Sequence, residues 1–245
     1  MPTTPGQWVR WGQLYGAAGA LAIAQAVREC DRPVAVIAES ARALDRLDAE
    51  ISFFADREFA VLSFPDWETL PYDRFSPHPD IVSRRLAVLY ELPTLKRGAV
   101  IVTLETLLQR LPPPSYLDSQ TLLIARGDRL PREAFRARLV AAGYAQVAQV
   151  MSPGECAVRG SLIDIFPMGA SEPLRIDLFD DEIETIRAFD PETQRSGEKL
   201  ETVRLLPARE VPLDPQSVKA FRRRYRTRFE GDPSRSPVYR DVSQG

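Results

Sequence analysis

The feature that most constrains this chain is a change of rhythm along it. From Gly12 to Leu111, short apolar runs alternate with helical spacings, and after Tyr144 the helical spacing stops and only strand-like runs follow as far as Pro207. In the first stretch, 12–30 predicts a glycine-containing turn and an Ala-rich helix, and VAVIAE (34–39) a strand covered on both faces. Leu44, Leu47, Ile51 and Phe54 sit three or four apart, which predicts a helix over 41–55. AVLSF (60–64) and AVIVTL (99–104) are further buried-strand candidates, with helices expected at 80–92 and 105–111. Pro65, Pro71, Pro77 and Pro79 force an irregular loop between Phe64 and the helix at 80, and Pro112–Pro114 end the pattern. Strand–helix alternation of this kind predicts a mostly parallel, doubly covered sheet over roughly 8–126.

The second stretch reads differently. TLLIARG (121–127) is a strand candidate, and PREAFRARLVAAGY (131–144) an amphipathic helix stopped by Gly143. The runs AQVAQVM, CAVRGSLIDIF, PLRIDLFDD, EIETIRAF and ETVRLLP, punctuated by Pro153–Gly154, Pro167–Gly169 and Asp190–Pro191, predict an antiparallel meander. Residues 127–208 are therefore expected to form a small α+β domain. A helix over about 215–229 and a polar tail without a convincing element follow, the start of a further lobe cut short. On this reading the chain is a piece of a longer protein.

Composition removes several functional classes. One histidine (His78) and two distant cysteines (Cys30, Cys156) cannot supply a His-pair or Cys-cluster zinc site, and two lone thiols point to a reducing compartment. The N-terminus has no apolar signal core, and no run approaches the ~18 apolar residues of a membrane span, so a cytoplasmic location is expected. The net charge of −2 argues against the whole chain gripping nucleic acid. Charge is unevenly spread: 144–208 holds 6 basic and 12 acidic residues (net −6), and 209–245 holds 9 and 5 (net +4).

Five places could carry chemistry. Gly16-Ala17-Ala18-Gly19, ahead of a helix and a strand, sits where a phosphate loop would lie. It lacks the Lys and Ser/Thr that such a loop needs, and no lysine precedes Lys96. It reads as a close-packing turn and not as an ATP site. His78, with Asp73, Ser76 and Asp80 near it in sequence, reads as a loop histidine, because sequence proximity alone does not build a triad. Asp177, Asp180, Asp181, Glu182 and Glu184 read as a solvated turn between strands. KAFRRRYRTR (219–228) has six basic positions, which wrap most of a helix and read as a solvated or salt-bridged face, with a phosphate-binding stripe as the alternative. On the fifth, alternation places Arg175, Asp177 and Phe179 opposite Leu174, Ile176 and Leu178, and Arg159 on the face of its own strand that carries Ala157 and Ser161. An exposed Phe179 between charges is not something folding requires. A protein-binding hot spot and a cross-strand Arg–Asp pair with Phe179 shielded both remain open from composition alone.

Residues 66–92 (DWETLPYDRFSPHPDIVSRRLAVLYEL), 154–169 (GECAVRGSLIDIFPMG) and 174–196 (LRIDLFDDEIETIRAFDPETQRS) resemble the N-terminal module of the bacterial transcription-repair coupling factors (Mfd), itself similar to the damage-recognition protein UvrB. The resemblance covers essentially the whole chain. It implies an α/β fold: a UvrB-like parallel-sheet lobe over 1–126 with a degenerate phosphate loop at Gly16 and Gly19, a small α+β UvrA-binding domain over 127–208, and the truncated start of a second α/β lobe over 209–245. The long DNA-clamping hairpin of UvrB has no room here, since Tyr72–Asp73 runs through a short loop to the helix at 80. The resemblance therefore implies a UvrA-recruiting surface with neither motor nor DNA clamp: no enzyme activity, no cofactor, no metal, and little or no DNA binding. It maps the UvrA contacts onto Arg159, Arg175 and Phe179. It also implies masking of that surface by a C-terminal domain of the parent protein, and RNA polymerase contact only through other regions. Because Arg175 and Phe179 are expected off the core face, truncating either is expected to leave the fold intact. The rival expectation is nucleic-acid binding through 219–228.

Overall fold

A computed structural model describes residue 4, residues 6–70, residue 73 and residues 75–244. Pro71 and Tyr72, on which the argument about the missing hairpin partly rests, lie outside the described residues. The chain divides into two compact units meeting between Pro114 and Ser115.

The first unit is built on three parallel strands, β1 (Val34–Ala38), β2 (Ala60–Phe64) and β3 (Gly98–Thr103), in the order β1-β3-β2. The central strand is buried almost throughout, as its unbroken apolar run GAVIVT requires of a strand with neighbours on both edges. Helices α1 (Ala18–Glu29) and α2 (Ala41–Ala55) cover one face. Ala20, Ala24 and Val27 from α1 and Leu44, Ile51 and Ala55 from α2 enclose Val36, Ala38, Ala99 and Ile101. Small residues in α1 let it lie close to its neighbours. Ser40 caps α2, its hydroxyl accepting the Ala43 N–H at 3.2 Å.

The other face is covered at β2 by α3 (Pro79–Glu91). Its Arg85 is fully buried, stacked on the Phe64 ring at 4.2 Å and the Trp67 ring at 4.5 Å, and donates to the Pro65 carbonyl at 2.6 Å. A cation thus pins the start of the Pro-rich loop. Coverage does not reach β1, where Ile37 is 56% exposed. The expectation that this strand is covered on both faces is corrected: β1 is an edge strand, and both nearby helices pack on its other side. A short helix α4 (Leu104–Leu107) follows β3, and helix α5 (Pro114–Gln120), which the proline run had hidden, leads into the second unit.

In the second unit, β4 (Leu122–Ala125) is followed by α6 (Arg132–Ala141), which buries Phe135 and Leu139. The main sheet has six strands: β5 (Ala145–Gln146), β6 (Glu155–Arg159), β7 (Leu162–Ile165), β8 (Leu174–Phe179), β9 (Glu182–Phe189) and β10 (Ser196–Leu200). Their spatial order is sequential and their pairings antiparallel, except that β5 pairs with β6 in parallel. The meander is confirmed from β6 to β10. The run ETVRLLP does not extend it: β11 (Thr202–Leu205) turns away and pairs antiparallel with β4 in a separate two-stranded sheet. Its alternation fitted either partner, and a long-range pairing leaves no local signal.

Two contacts tie the ends of this unit together. The buried Tyr144 donates its hydroxyl to the Leu206 carbonyl at 2.7 Å and accepts the Met168 N–H at 3.3 Å. Burial pushes that hydroxyl well above the ordinary tyrosine range. Gly143, at φ +98°, ends α6 where a Cβ would strike the Arg209 side chain at 2.6 Å. After β11 comes α7 (Pro215–Arg228), capped by Asp214, and then α8 (Pro237–Gln244), where the sequence predicts only a polar tail. Phe221, Tyr225, Phe229 and Tyr239 make an aromatic stack between them.

Candidate protein-binding surface

Ile163, Ile176 and Ile186 lie side by side on β7, β8 and β9, all at most 1% exposed, and define the core face of the six-stranded sheet. Alternation puts the next row on the opposite face. That row runs Ala157, Asp164, Arg175, Arg187 and Lys199 across β6 to β10, each residue directly opposite the next. The neighbouring row holds Arg159, Leu162, Asp177 and Thr185. Past a bulge between Asp177 and Leu178, Phe179 faces Glu182 at the end of the hairpin.

This second face is not uniformly exposed. At the β6 side Val147 and Val150 cover Ala157, Phe166 and Phe189. Beside them the Asp164 carboxylate is 1% exposed and takes a two-pronged grip from Arg175, Nε at 2.8 Å and Nη2 at 2.9 Å. The Arg175 guanidinium also lies over the Phe189 ring at 4.6 Å, and donates to the backbone carbonyl and side-chain oxygen of Gln194 at 3.3 and 3.1 Å. The hydrogen bond to Asp164 holds Arg175 further above its ordinary pKa. Only 17% of the Arg175 side chain is exposed. The expectation that truncating Arg175 leaves the fold intact is therefore corrected, because its side chain is bound into the folded sheet. Alternation assigned the face rightly but could not show that a buried carboxylate lies beneath it. Of the two readings left open for this strand, an Arg–Asp pair holds for Arg175, with Asp164 of β7 as partner and not Asp177.

Arg159 meets the same carboxylate weakly, at 3.4 Å, with half its side chain exposed. Phe179 is 72% exposed at the last position of β8. Asp180 and Asp181 form the two-residue turn that follows, Asp180 at φ +55°, as expected of a solvated turn. Asp177 accepts the Thr185 hydroxyl at 3.0 Å. Arg187 and Lys199 drew no notice in the sequence, although alternation from Arg175 and a counted hairpin register would have placed them in its row.

Elsewhere, Gly16 takes φ +56° immediately before α1, and Gly19 lies inside the helix. Ala17, at the helix start, caps it with no side-chain hydrogen bond. His78 caps α3, its Nδ1 accepting the Asp80 N–H at 3.3 Å. On α7, Lys219, Arg222, Arg223 and Arg226 follow an i, i+3, i+4, i+7 spacing, and none forms an ion pair among the described residues. No helix is long and apolar enough to cross a membrane among the described residues.

Comparison with known proteins falls on the same region. A family model described as the UvrB interaction domain matches residues 122–211, from β4 past β11. Its span agrees with the β4–β11 pairing that closes the unit. The transcription-repair-coupling factor of Escherichia coli is 45% identical over 245 residues, covering 100% of this chain and 21% of that protein. The chain is a relative of the transcription-repair-coupling factors. The Haemophilus influenzae factor is 43% identical over 100% of the chain and the Myxococcus xanthus factor 35% identical over 86%. The chain spans about a fifth of the length of these factors.

Proposed function

We propose that this chain is a non-catalytic recruiting module of a transcription-repair-coupling protein, which binds UvrA and so links stalled RNA polymerase to nucleotide excision repair. The observation that carries the reading is Phe179. A phenylalanine 72% exposed at a hairpin end, on a sheet that also carries the half-exposed Arg159 and inside the segment matching the UvrB interaction domain, costs solubility and gives folding nothing. Arg159, Arg175 and Phe179 make up the proposed site, with Arg159 and Phe179 touching the partner and Arg175 fixing the surface between them.

The proposed organisation is a UvrB-like lobe over 1–126, a UvrA-binding domain over 127–208 and part of a second α/β lobe over 209–245. The β4–β11 pairing supports moving the first of these boundaries back, so that the recruiting domain takes in β4 and begins at Leu122. The phosphate loop is proposed to be degenerate. Gly16 keeps the turn into α1, while Ala20 and Leu21, which follow Gly19, offer neither the Lys that would hold a β/γ-phosphate nor the hydroxyl that would hold magnesium. Translocation and polymerase contact then belong to other parts of the parent protein, and a C-terminal domain of that parent masks the UvrA surface until it is released. A cytoplasmic setting goes with this role.

The test is equilibrium binding of the chain to purified UvrA. Saturable binding that is insensitive to added DNA supports the reading, and no binding at tens of micromolar overturns it. A fluorescent ATP analogue should show no saturable binding displaced by ATP. One observation favours a second reading, nucleic-acid binding by α7: its basic stripe lacks ion pairs among the described residues. A steep loss of duplex affinity with added salt, abolished by Arg223→Ala, would establish it.

A further inference from the structure

The cation row holds more positive charge than the fold uses. Arg175 lies directly opposite Arg187, and Arg187 directly opposite Lys199, two successive like-charged cross-strand pairs. Such pairs destabilise a sheet, so a sequence selected for stability alone would not place them there. Asp164 compensates the first cation only, since Arg175 engages both its oxygens. Arg187 is half-buried, and its Nε is buried without a hydrogen-bond partner among the described residues. Lys199 is exposed and forms no ion pair among the described residues.

We infer that Arg187 and Lys199 are partner-contacting residues, which extend the docking face from Phe179 across β9 to β10 and receive carboxylates of an acidic protein surface. The inference rests on the reading of this face as the UvrA-binding surface. The kind of partner follows from the surroundings. Asp177 and Glu182 lie among the cations and Phe179 stands at the edge, in a segment with a net charge of −6. A continuous phosphate backbone would be repelled by those carboxylates. A protein surface can place its own carboxylates against Arg187, Lys199 and Arg159 and an apolar pocket against Phe179. The arrangement also explains why the row survives: partner carboxylates supply Arg187 and Lys199 with the counter-charge that Asp164 gives to Arg175 and, more weakly, to Arg159. Arg187, half-buried and carrying a planar fork that can grip a carboxylate at two points, is the stronger contact, and Lys199, exposed on the edge strand, the weaker.

The test measures UvrA affinity and thermal melting together for wild type, Arg187→Ala, Lys199→Ala and Phe179→Ala. Relieving like-charge repulsion should leave the melting temperature of Arg187→Ala unchanged or raised, while its UvrA affinity falls about tenfold or more, as for an arginine anchor. Lys199→Ala should lose about threefold, with the loss shrinking as salt is added. A fall in melting temperature for Arg187→Ala would make the residue a structural member of the sheet and overturn the inference. So would wild-type affinity in both cation variants while Phe179→Ala binds weakly, an outcome that leaves the recruiting function standing. If wild type itself does not bind UvrA, the recruiting function falls. If random duplex DNA displaces UvrA from wild type but not from Arg187→Ala, the row is a phosphate site and the inference is overturned.

Discussion

Two regions of this chain are rich in basic side chains, and the fold treats them in opposite ways. On the six-stranded sheet, Arg175 is fixed by a buried carboxylate, an aromatic ring and the Gln194 turn. On α7, Arg222 reaches a backbone carbonyl and Arg226 lies over the Tyr239 ring, while Arg223 and Lys219 extend into solvent. The more basic segment is the helix, yet the more ordered cation is on the sheet, in a segment of net negative charge. Net charge along a sequence therefore does not locate a rigid charged site. What fixes a cation is the low-dielectric surface beneath it and the counter-charge that surface demands.

The comparison is most severely tested at Arg175. Arg175→Ala leaves the Asp164 carboxylate buried with only the distant Arg159 contact, and should cost about 3 kcal/mol of stability. Urea or thermal unfolding measures this directly. A variant as stable as wild type would mean that the sheet arginine is no better anchored than those of α7.

A smaller effect is expected from Tyr144→Phe, which takes the hydroxyl from the buried Leu206 carbonyl and should cost about 1 kcal/mol by the same unfolding experiment. It sharpens the comparison by testing a neutral tie in the same unit.

The start of the helix should respond to acid. The Ser217 hydroxyl, and after it the Ser217 N–H, hold the Asp214 carboxyl below its usual pKa. A folded-state pKa below the unfolded value gives stabilisation that is present above the unfolded pKa and lost as pH falls through the folded one. Protection of the first-turn amides of α7, measured against their intrinsic exchange rate at each pH, should therefore fall as the pH drops below about 4. Unchanged protection down to the folded-state pKa would remove Asp214 as the determinant of that cap.

The smallest effect belongs to Arg223→Ala. An exposed arginine without an ion pair should change stability by about 0.5 kcal/mol or less and leave UvrA affinity as it is. A loss of UvrA binding there would move the docking face onto α7.

Much of this was legible in the sequence because it is local. The alternation of LRIDLF gave the two faces of β8, and Asp180–Asp181 gave its turn. Strand–helix alternation gave the parallel sheet, and the three long segments 66–92, 154–169 and 174–196 gave the kinship with coupling factors. What failed depended on contacts between distant positions. Nothing in ETVRLLP announces a partner at 122–125. Nothing in LIDI says that Asp164 is buried and that Arg175 is committed to it. The edge position of β1, which exposes Ile37, follows from sheet order and not from the composition of the strand. Arg187 was missed for a simpler reason: it is notable only once the register sets it between two other cations.

The most direct measurement of the central claim is the affinity of UvrA for wild type and for Phe179→Ala, with melting recorded on the same samples. The account expects wild type to bind and Phe179→Ala to lose about 2 kcal/mol, roughly thirtyfold, without a fall in melting temperature, because an exposed ring contributes to the partner's pocket and not to the core. Wild-type affinity in a folded Phe179→Ala variant would contradict it.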